Sequence, residues 1–227
     1  MKKIFSGCIF IALILLLSSA NAITKMPARP YTYLALGDSY TIGETVAATD
    51  NFPNQTVQLL RKEGADFMAP EIVAKTGWTT DELQAAIDSH VFRKSYDFVT
   101  LLIGVNNQYR GQSLEEYKKT FEKLLKQAIH FADDKSTHVA VVSIPDWGVT
   151  PFAEGRDRTQ IAEQIDAFNK ANQEIAEQYH IYYINITPFT REAVADPTLL
   201  AADGLHPSGK EYQRWAEKIA IFFKSGL

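Results

Sequence analysis

The chain has 227 residues, of which 46% are hydrophobic and 22% charged, and its formal net charge is −4. This length and composition are typical of one globular α/β domain rather than two. The net charge is negative, and no segment of the chain has a cluster of basic residues. A basic surface that follows the phosphate backbone of a nucleic acid is therefore excluded, and nucleic acid is not expected as a partner.

The first 22 residues have the pattern of a secretory signal peptide. Lys2 and Lys3 form a basic start, residues 4–17 are mostly apolar, and residues 20–22 (ANA) fit a small-x-small cleavage site. The alternative, a transmembrane helix, needs about 20 apolar residues, and this run is shorter. We therefore expect export to the periplasm or the medium, with no stable membrane span once the signal is removed.

The single cysteine, Cys8, lies inside this segment. Its removal leaves a mature chain with neither a disulfide nor a thiol nucleophile. Lipid attachment at Cys8 is an alternative, but the hydrophobic stretch follows this cysteine, whereas in a lipoprotein signal it precedes the cysteine. Residues 23–30 then form a short lead-in, and residues 31–227 form the folded domain.

Five apolar runs of strand length follow along the chain. Three of them lack strict polar alternation, as is typical of strands that are covered on both faces. The predicted strands span residues 31–36, 70–75, 97–103, 137–144 and 181–186.

Helical patterns separate these strands. The segments TTDE (79–82) and SLEE (113–116) fit the capping box that begins a helix. In residues 157–179, apolar side chains recur at three- or four-residue spacing, and a last helix is predicted over about residues 208–224. The alternation of strand and helix predicts a parallel sheet with helices on both faces.

Polar segments lie where the predicted strands end. GDS (37–39) follows the first strand, TGW (76–78) the second and GVNN (104–107) the third, while DGLHP (203–207) lies beyond the fifth. Ligands of open parallel sheets bind beyond the carboxyl ends of the strands. We therefore expect these four segments to meet at one edge of the sheet.

Together the four segments contain the groups that acyl transfer needs. A serine such as Ser39 must lose its proton as it attacks, and a histidine such as His206, with an ordinary pKa of ~6.5, can accept that proton and return it to the leaving group. Asp203 can orient His206. The backbone N–H groups of Ser39 and Gly77 and the side-chain amide of Asn106 can stabilise the anionic oxygen of the intermediate.

Taken alone, each of these residues also has a structural interpretation. GDS is a common turn composition, a glycine such as Gly77 usually marks a turn, and Asn106 can bond to its own loop. A metal site at Asp38, Asp203 and His206 is a weaker hypothesis, because no paired histidine motif or further convergent carboxylates accompany them. Only the four segments in combination favour catalysis.

These segments resemble the sequence blocks of the SGNH, or GDSL, hydrolase family. GDSY (37–40) matches its first block, Gly77 stands at the oxyanion glycine of its second, GVNN resembles its third block, Gly-x-Asn-Asp, and DGLHP matches its last, Asp-x-x-His. The resemblance extends over about residues 31–224. It implies a flavodoxin-like, three-layer α/β/α sandwich, here with a five-stranded parallel sheet, and ester hydrolysis without a metal or other cofactor.

The resemblance also implies a role for each matching residue. Ser39 is the nucleophile, His206 the base and Asp203 its orienting partner, while Ser39, Gly77 and Asn106 form the oxyanion hole. Asn107 departs from the pattern, because the family usually has aspartate there. The ordinary α/β-hydrolase fold is disfavoured, because Ser39 is not in a G-x-S-x-G elbow.

Four further residues are expected on the rim of the same face. Trp147 and Phe152 follow the fourth strand, and they either line an acyl or alcohol pocket or close the core beneath a long loop. Tyr109 and Arg110 follow the asparagine pair, and Arg110 either contacts an anionic head group or is solvated.

The sequence thus predicts a secreted serine hydrolase of carboxylic esters, of the esterase, lipase or lysophospholipase kind, that acts through an acyl-enzyme. The expected partner is a small-molecule, lipid or glycan ester. One alternative is removal of acetyl groups from a polysaccharide. An alternative from another class is a non-catalytic secreted binding module that keeps the sheet and the pocket but not the reaction.

Overall fold

The computed structural model describes residues 29–227. The predicted signal peptide, Cys8 and most of the lead-in lie outside the described residues. Among the helices that are described, none is both long enough and apolar enough to cross a membrane.

Five parallel strands form one sheet in the order β2-β1-β3-β4-β5. The chain therefore steps from β1 to one side and then crosses to the other, which creates a topological switch point between β1 and β3. All five strands predicted from the sequence are present, and the parallel arrangement is confirmed. They are β1 (Tyr33–Asp38), β2 (Glu71–Lys75), β3 (Phe98–Leu102), β4 (Val139–Val142) and β5 (Tyr182–Ile184).

Helices cover both faces of the sheet and complete a three-layer α/β/α sandwich. The α-helices are α1 (Ser39–Ile42), α2 (Phe52–Lys62), α3 (Thr80–Ser89), α4 (Val105–Tyr109), α5 (Leu114–Phe131), α6 (Arg158–Gln178), α7 (Thr187–Arg191) and α8 (Gly209–Lys224). On one face α2 packs against α8, and on the other α5 packs between α3 and α6. Every residue of β1, β3 and β4 is buried, as continuous apolar strands between two helical layers should be.

The helix starts follow the capping signals of the sequence. At the start of α3 the Thr79 N–H donates to the Glu82 carboxylate at 2.8 Å, and at the start of α5 the Ser113 hydroxyl accepts the Glu116 N–H at 3.2 Å. The predicted elements do not include α2, although Asn51 caps it by accepting a backbone N–H. More than half of its residues are polar, so the apolar positions that face the core were not recognised as a helical pattern.

The end of β1 differs from the prediction by two residues. The strand continues through Gly37 and Asp38, because Asp38 still pairs with Lys75 of β2 and Gly37 with Leu102 of β3. A Cβ atom on Gly37 would lie 2.5 Å from the Leu102 carbonyl oxygen, so only glycine allows the two strands to approach this closely. Ser39 therefore comes directly after the strand, as the first residue of α1.

Candidate active site

Ser39 lies at the carboxyl end of β1, where the chain turns at once into α1. Asp38 caps this short helix, and its carboxylate accepts the Tyr40 N–H at 3.0 Å. Gly43 ends the helix in a left-handed conformation. The turn and the buried strand before it hold Ser39, which is itself only 4% exposed, in one orientation.

The structure brings Ser39, His206 and Asp203 into one hydrogen-bonded chain. Ser39 Oγ lies 3.0 Å from His206 Nε2, and His206 Nδ1 lies 2.6 Å from Asp203 Oδ2. Ser39 is 167 residues from His206 in sequence, so the fold alone makes the first contact. This is the geometry of a nucleophile, a base and an orienting carboxylate.

Asp203 is oriented by its own turn. Its second carboxylate oxygen accepts the backbone N–H groups of Leu205 and His206, both at 3.0 Å. Partial burial opposes ionisation, but the hydrogen bonds from His206 and from these N–H groups together hold the pKa of Asp203 below its ordinary value. An ionised Asp203 favours the tautomer with the proton on Nδ1, which leaves Nε2 free to accept the Ser39 proton.

Three potential hydrogen-bond donors line the same cavity as Ser39 Oγ. Neither the Ser39 N–H nor the Gly77 N–H donates to an acceptor within residues 29–227. The Asn106 side-chain nitrogen donates to the Trp78 carbonyl at 3.0 Å, which fixes its amide plane. Ser39, Gly77 and Asn106 all contribute to the wall of the cavity, as expected for donors to an oxyanion.

Asp38 does not belong to the wall of the cavity, although the next residue, Ser39, does. Its carboxylate is fully buried, and burial raises its pKa to about 7 against the weaker opposing effect of hydrogen bonds from backbone N–H groups. One carboxylate oxygen is 3.5 Å from the Asn106 side-chain nitrogen. Asp38 thus contacts both the serine turn and the asparagine without reaching the cavity.

Asn107 does not face the cavity either. Its carbonyl oxygen accepts the Thr80 N–H at 3.1 Å, and its NH₂ group donates to Thr80 Oγ1 at 2.8 Å and to Gln112 Oε1 at 2.7 Å. The amide uses its acceptor and both donors while 1% exposed. An ionised aspartate would supply no donor, so the asparagine that departs from the family pattern suits these partners.

The cavity has a volume of about 140 Å³ and a largely apolar wall. Three aromatic rings form one side of it, one from the end of α4 and two from the segment after β4: Tyr109 lies 5.2 Å from Trp147, and Phe152 lies 6.0 Å from each of them, between ring centroids. The Trp147 indole N–H donates to Gln108 at 2.7 Å, which fixes the ring. Trp147 and Phe152 both line the cavity, and Trp147, which is 4% exposed, also belongs to the buried core, so both interpretations apply to it.

Arg110 does not line the cavity itself, but it contacts Gly77, which does. Its guanidinium donates to the Gly77 carbonyl at 2.5 Å and to the Glu82 carboxylate at 3.2 Å. The side chain is nevertheless 45% exposed, so it is partly solvated while it is held by these two partners.

Three residues of the cavity wall were not predicted from the sequence. Tyr40, Val105 and Leu205 line the cavity, and each is next to a residue that the sequence singles out. The Tyr40 ring lies 4.9 Å from the His206 ring, between centroids. Adjacency to a candidate residue is the signal that would have found them.

Solved structures with the same fold include three that cover most of this chain. TesA is 20% identical, with a TM-score of 0.67 over 86% of this chain and 99% of its own. The lipase/acylhydrolase from Enterococcus faecalis is 22% identical, with a TM-score of 0.66 over 86% and 96%. Axe2, an acetylxylan esterase from Geobacillus stearothermophilus, is 19% identical, with a TM-score of 0.59 over 86% and 93%.

Sequence comparison gives the family directly. No curated protein matches the chain significantly. The model of the GDSL-like lipase/acylhydrolase family, however, matches residues 35–214, a span that contains all four sequence segments and the cavity between them. With the five-stranded parallel sheet and its helices on both faces, this match shows that the chain belongs to the GDSL-like lipase/acylhydrolase family.

Proposed function

We propose that the protein is an exported serine hydrolase that cleaves carboxylic esters through a covalent acyl-enzyme. The observation that carries the proposal is the chain from Ser39 Oγ through His206 to Asp203, with contacts of 3.0 and 2.6 Å. Ser39, His206 and Asp203 are called the proposed triad below. The residues on either side of Gly77 and Asn106, 76–80 and 104–110, are called the oxyanion segments.

Ser39 Oγ attacks the ester carbonyl carbon while His206 Nε2 takes the hydroxyl proton. The carbonyl oxygen becomes an anion, which accepts hydrogen bonds from the Ser39 and Gly77 N–H groups and the Asn106 amide. As the C–O bond to the alcohol breaks, His206 passes its proton to the departing alkoxide. Water, deprotonated by the same histidine, then attacks the acyl-enzyme and releases the acid and free Ser39.

The direct test is Ser39→Ala with a short p-nitrophenyl ester. Turnover should be lost while the thermal unfolding midpoint stays close to that of the wild type, because only a small hydroxyl is removed. A fluorophosphonate probe should label the wild type at Ser39 and leave the variant unlabelled. Undiminished turnover by a folded Ser39→Ala protein would refute the assignment of the nucleophile.

The cavity favours a short or aromatic acyl group. Its volume of about 140 Å³ is close to that of an apolar protein cavity of ~150 Å³ that holds benzene. Tyr109, Trp147 and Phe152 supply an aromatic wall. In a series of p-nitrophenyl esters, kcat/KM should fall once the acyl chain exceeds about six carbons, and a profile that rises to long chains would contradict this assignment.

A second candidate is removal of acetyl groups from a polysaccharide. A groove of about 370 Å³ lies on the other side of Tyr109 and Trp147, and it is lined by polar side chains such as Arg156, Asp157 and Gln160. Such a groove suits a hydroxylated leaving group, and one solved structure of the same fold is an acetylxylan esterase. Acetate release from acetylated xylan, measured beside p-nitrophenyl acetate, distinguishes the two candidates.

The non-catalytic binding module is the alternative from another class. It has no need for a nucleophile, a base and three oriented donors in one cavity. Absence of fluorophosphonate labelling in the folded wild type, together with no turnover of any ester, would favour it.

Export is proposed from the sequence alone. The basic start, the apolar run and the ANA site support cleavage after Ala22. N-terminal sequencing of protein recovered from outside the cytoplasm should then begin at Ile23. Recovery of the chain with an intact Met1, or only inside the cytoplasm, would contradict this part of the proposal.

A further inference from the structure

Arg110 joins the two oxyanion segments. It follows α4, and its backbone N–H donates to the Asn106 carbonyl at 3.0 Å. Its guanidinium crosses to the other segment and donates to the Gly77 carbonyl at 2.5 Å. Arg110 therefore contacts both Asn106 and Gly77, which are the two residues outside the serine turn that supply donors to the cavity.

The guanidinium is itself held in place. Its other terminal nitrogen donates to Glu82 at 3.2 Å, and Glu82 accepts the Thr79 N–H at 2.8 Å at the start of α3. The hydrogen bond from Thr79, with a smaller contribution from Arg110, lowers the pKa of Glu82 and keeps it ionised. The fork of Arg110 thus spans a carboxylate and a carbonyl, which a planar guanidinium does better than an ammonium.

Gly77 needs such a restraint. Its φ is +83°, which glycine adopts readily, but a glycine can also adopt many other backbone conformations. The segment from Thr76 to Trp78 lies beyond the end of β2, and the Gly77 N–H has no acceptor within residues 29–227. The bond to Arg110 restrains the following peptide, so the rotation about ψ of Gly77 is limited.

We propose that Arg110 is a positioning residue for the oxyanion hole: it holds Gly77 and Asn106 in one fixed relation, so that their donors converge on the carbonyl oxygen of the substrate. This inference rests on the proposed function. Arg110 does not line the cavity, and its fork is occupied by Gly77 and Glu82, so it acts on the reaction through Gly77 and not by binding substrate.

The test is Arg110→Met, which keeps an unbranched stem as far as the position of Nε and removes the guanidinium. For a short p-nitrophenyl ester, kcat should fall about tenfold to 100-fold with KM within about threefold, because a displaced donor is felt mainly in the transition state. Arg110→Lys should recover part of kcat, since one ammonium reaches the carbonyl but cannot span both partners.

Arg93→Met is the matched control. Arg93 is similarly exposed and pairs with Glu71 at 3.8 Å, far from the cavity in the fold. This variant should keep wild-type kcat and KM. A loss equal to that of Arg110→Met would show that removal of any surface arginine has the same effect, and it would overturn the proposal.

A double-mutant cycle with Gly77→Ala tests whether Arg110 acts through Gly77. If it does, Arg110→Met should cost less in the Gly77→Ala background than in the wild type. Additive losses would overturn the proposal. So would kcat within twofold of wild type in Arg110→Met, or a raised KM with unchanged kcat, which would make Arg110 a substrate ligand.

A readout without catalysis separates this inference from the proposed function. The Trp78 N–H donates to the Lys75 carbonyl at 3.2 Å, and it should exchange with deuterium about fivefold faster or more in Arg110→Met. Were the folded wild type to hydrolyse no ester, the proposed function would fail. Unchanged exchange at Trp78 would refute the restraint by itself.

Discussion

The two halves of the cavity are built differently. In the proposed triad, Asp203 and His206 are three residues apart and share one turn, and the side chain of His206 is 8% exposed and that of Asp203 28%. In the oxyanion segments, the donors come from different strand ends and are held by side chains that cross between loops, with Arg110 45% and Glu82 40% exposed. In the first half a local turn holds Asp203 against His206, and only the contact with Ser39 is distant in sequence, whereas the second half depends on side-chain tethers between distant parts of the chain.

This difference separates two kinds of failure. Loss of Ser39 or His206 removes a group that carries the proton, and no neighbour replaces it. Loss of a tether leaves every reacting group present but less well placed. We therefore expect substitutions in the first half to remove most of kcat, and substitutions in the second half to lower kcat by smaller factors.

The largest effect is expected for His206→Ala. Without the base at 3.0 Å from Ser39 Oγ, kcat should fall by about 10⁵–10⁶. His130→Ala is the control, because His130 near the end of α5 is 78% exposed and pairs with Asp134 in the turn that follows. Initial rates with a short p-nitrophenyl ester measure both. A fall of less than tenfold in His206→Ala would place the base elsewhere.

Asp203→Asn should have the next largest effect. The amide keeps the shape of the turn but no longer stabilises the protonated imidazole, so we expect kcat to fall about 10³–10⁴-fold with little change in the unfolding midpoint. The pH–rate profile gives a second measurement. A variant with wild-type kcat would show that His206 needs no orienting carboxylate.

Asn106→Ala tests the second half. Removing one donor to the oxyanion should lower kcat by about 10²–10³ and change KM much less. Because Asn106 also bonds to the Trp78 carbonyl at 3.0 Å, the unfolding midpoint should be measured alongside. Loss of substrate binding with unchanged kcat would mean that Asn106 contacts the ground state and not the oxyanion.

Asp38→Asn tests the buried carboxylate that contacts both the serine turn and the Asn106 side chain. Burial raises the pKa of Asp38 to about 7 from 3.8 in the unfolded chain, so the folded protein binds the extra proton between these values. The free energy of unfolding of the wild type should therefore decrease as the pH rises through this window and level off above it. Each pH unit in the window corresponds to about 1.4 kcal/mol.

The Asp38→Asn variant lacks this titration. Its free energy of unfolding, relative to the wild type, should rise by on the order of 4 kcal/mol from pH 4 to pH 8. Urea unfolding at several pH values measures the difference. A difference that does not change with pH would contradict the raised pKa.

Asn107 should give the smallest effect. Asn107→Leu leaves the buried Thr80 N–H without its acceptor and should lower the free energy of unfolding by about 1–3 kcal/mol. Asn107→Asp should cost less, because a carboxylate still accepts the Thr80 N–H and the Gln112 amide can turn to donate. Equal losses in the two variants would show that shape, and not hydrogen bonding, matters at this position.

Local patterns in the sequence predicted much of the fold. The strand runs, the TTDE and SLEE helix starts and the long amphipathic pattern of α6 all correspond to observed elements, because burial and capping act over a few residues. The two-residue error at the end of β1 came from tertiary pairing. Gly37 and Asp38 have turn-like composition, yet neighbouring strands hold them extended.

The candidate site divides in the same way. The identity of Ser39, His206, Asp203, Gly77 and Asn106 was predicted from motifs that each span a few residues. The contacts of the Arg110 side chain were not predicted, because its partners are 28 and 33 residues away and no local pattern reports them.

By itself, then, the sequence determined which residues have the chemistry for acyl transfer and that parallel strands end beside them. Only the tertiary structure decided that Ser39 Oγ meets His206 Nε2 at 3.0 Å, that Asp38 is fully buried beside the serine, and that the oxyanion segments are tied together by side chains. The physical reason is the separation along the chain of the residues that interact. Motifs and caps are set by neighbours in the chain, whereas contacts and burial depend on which distant segments the sheet brings to one edge.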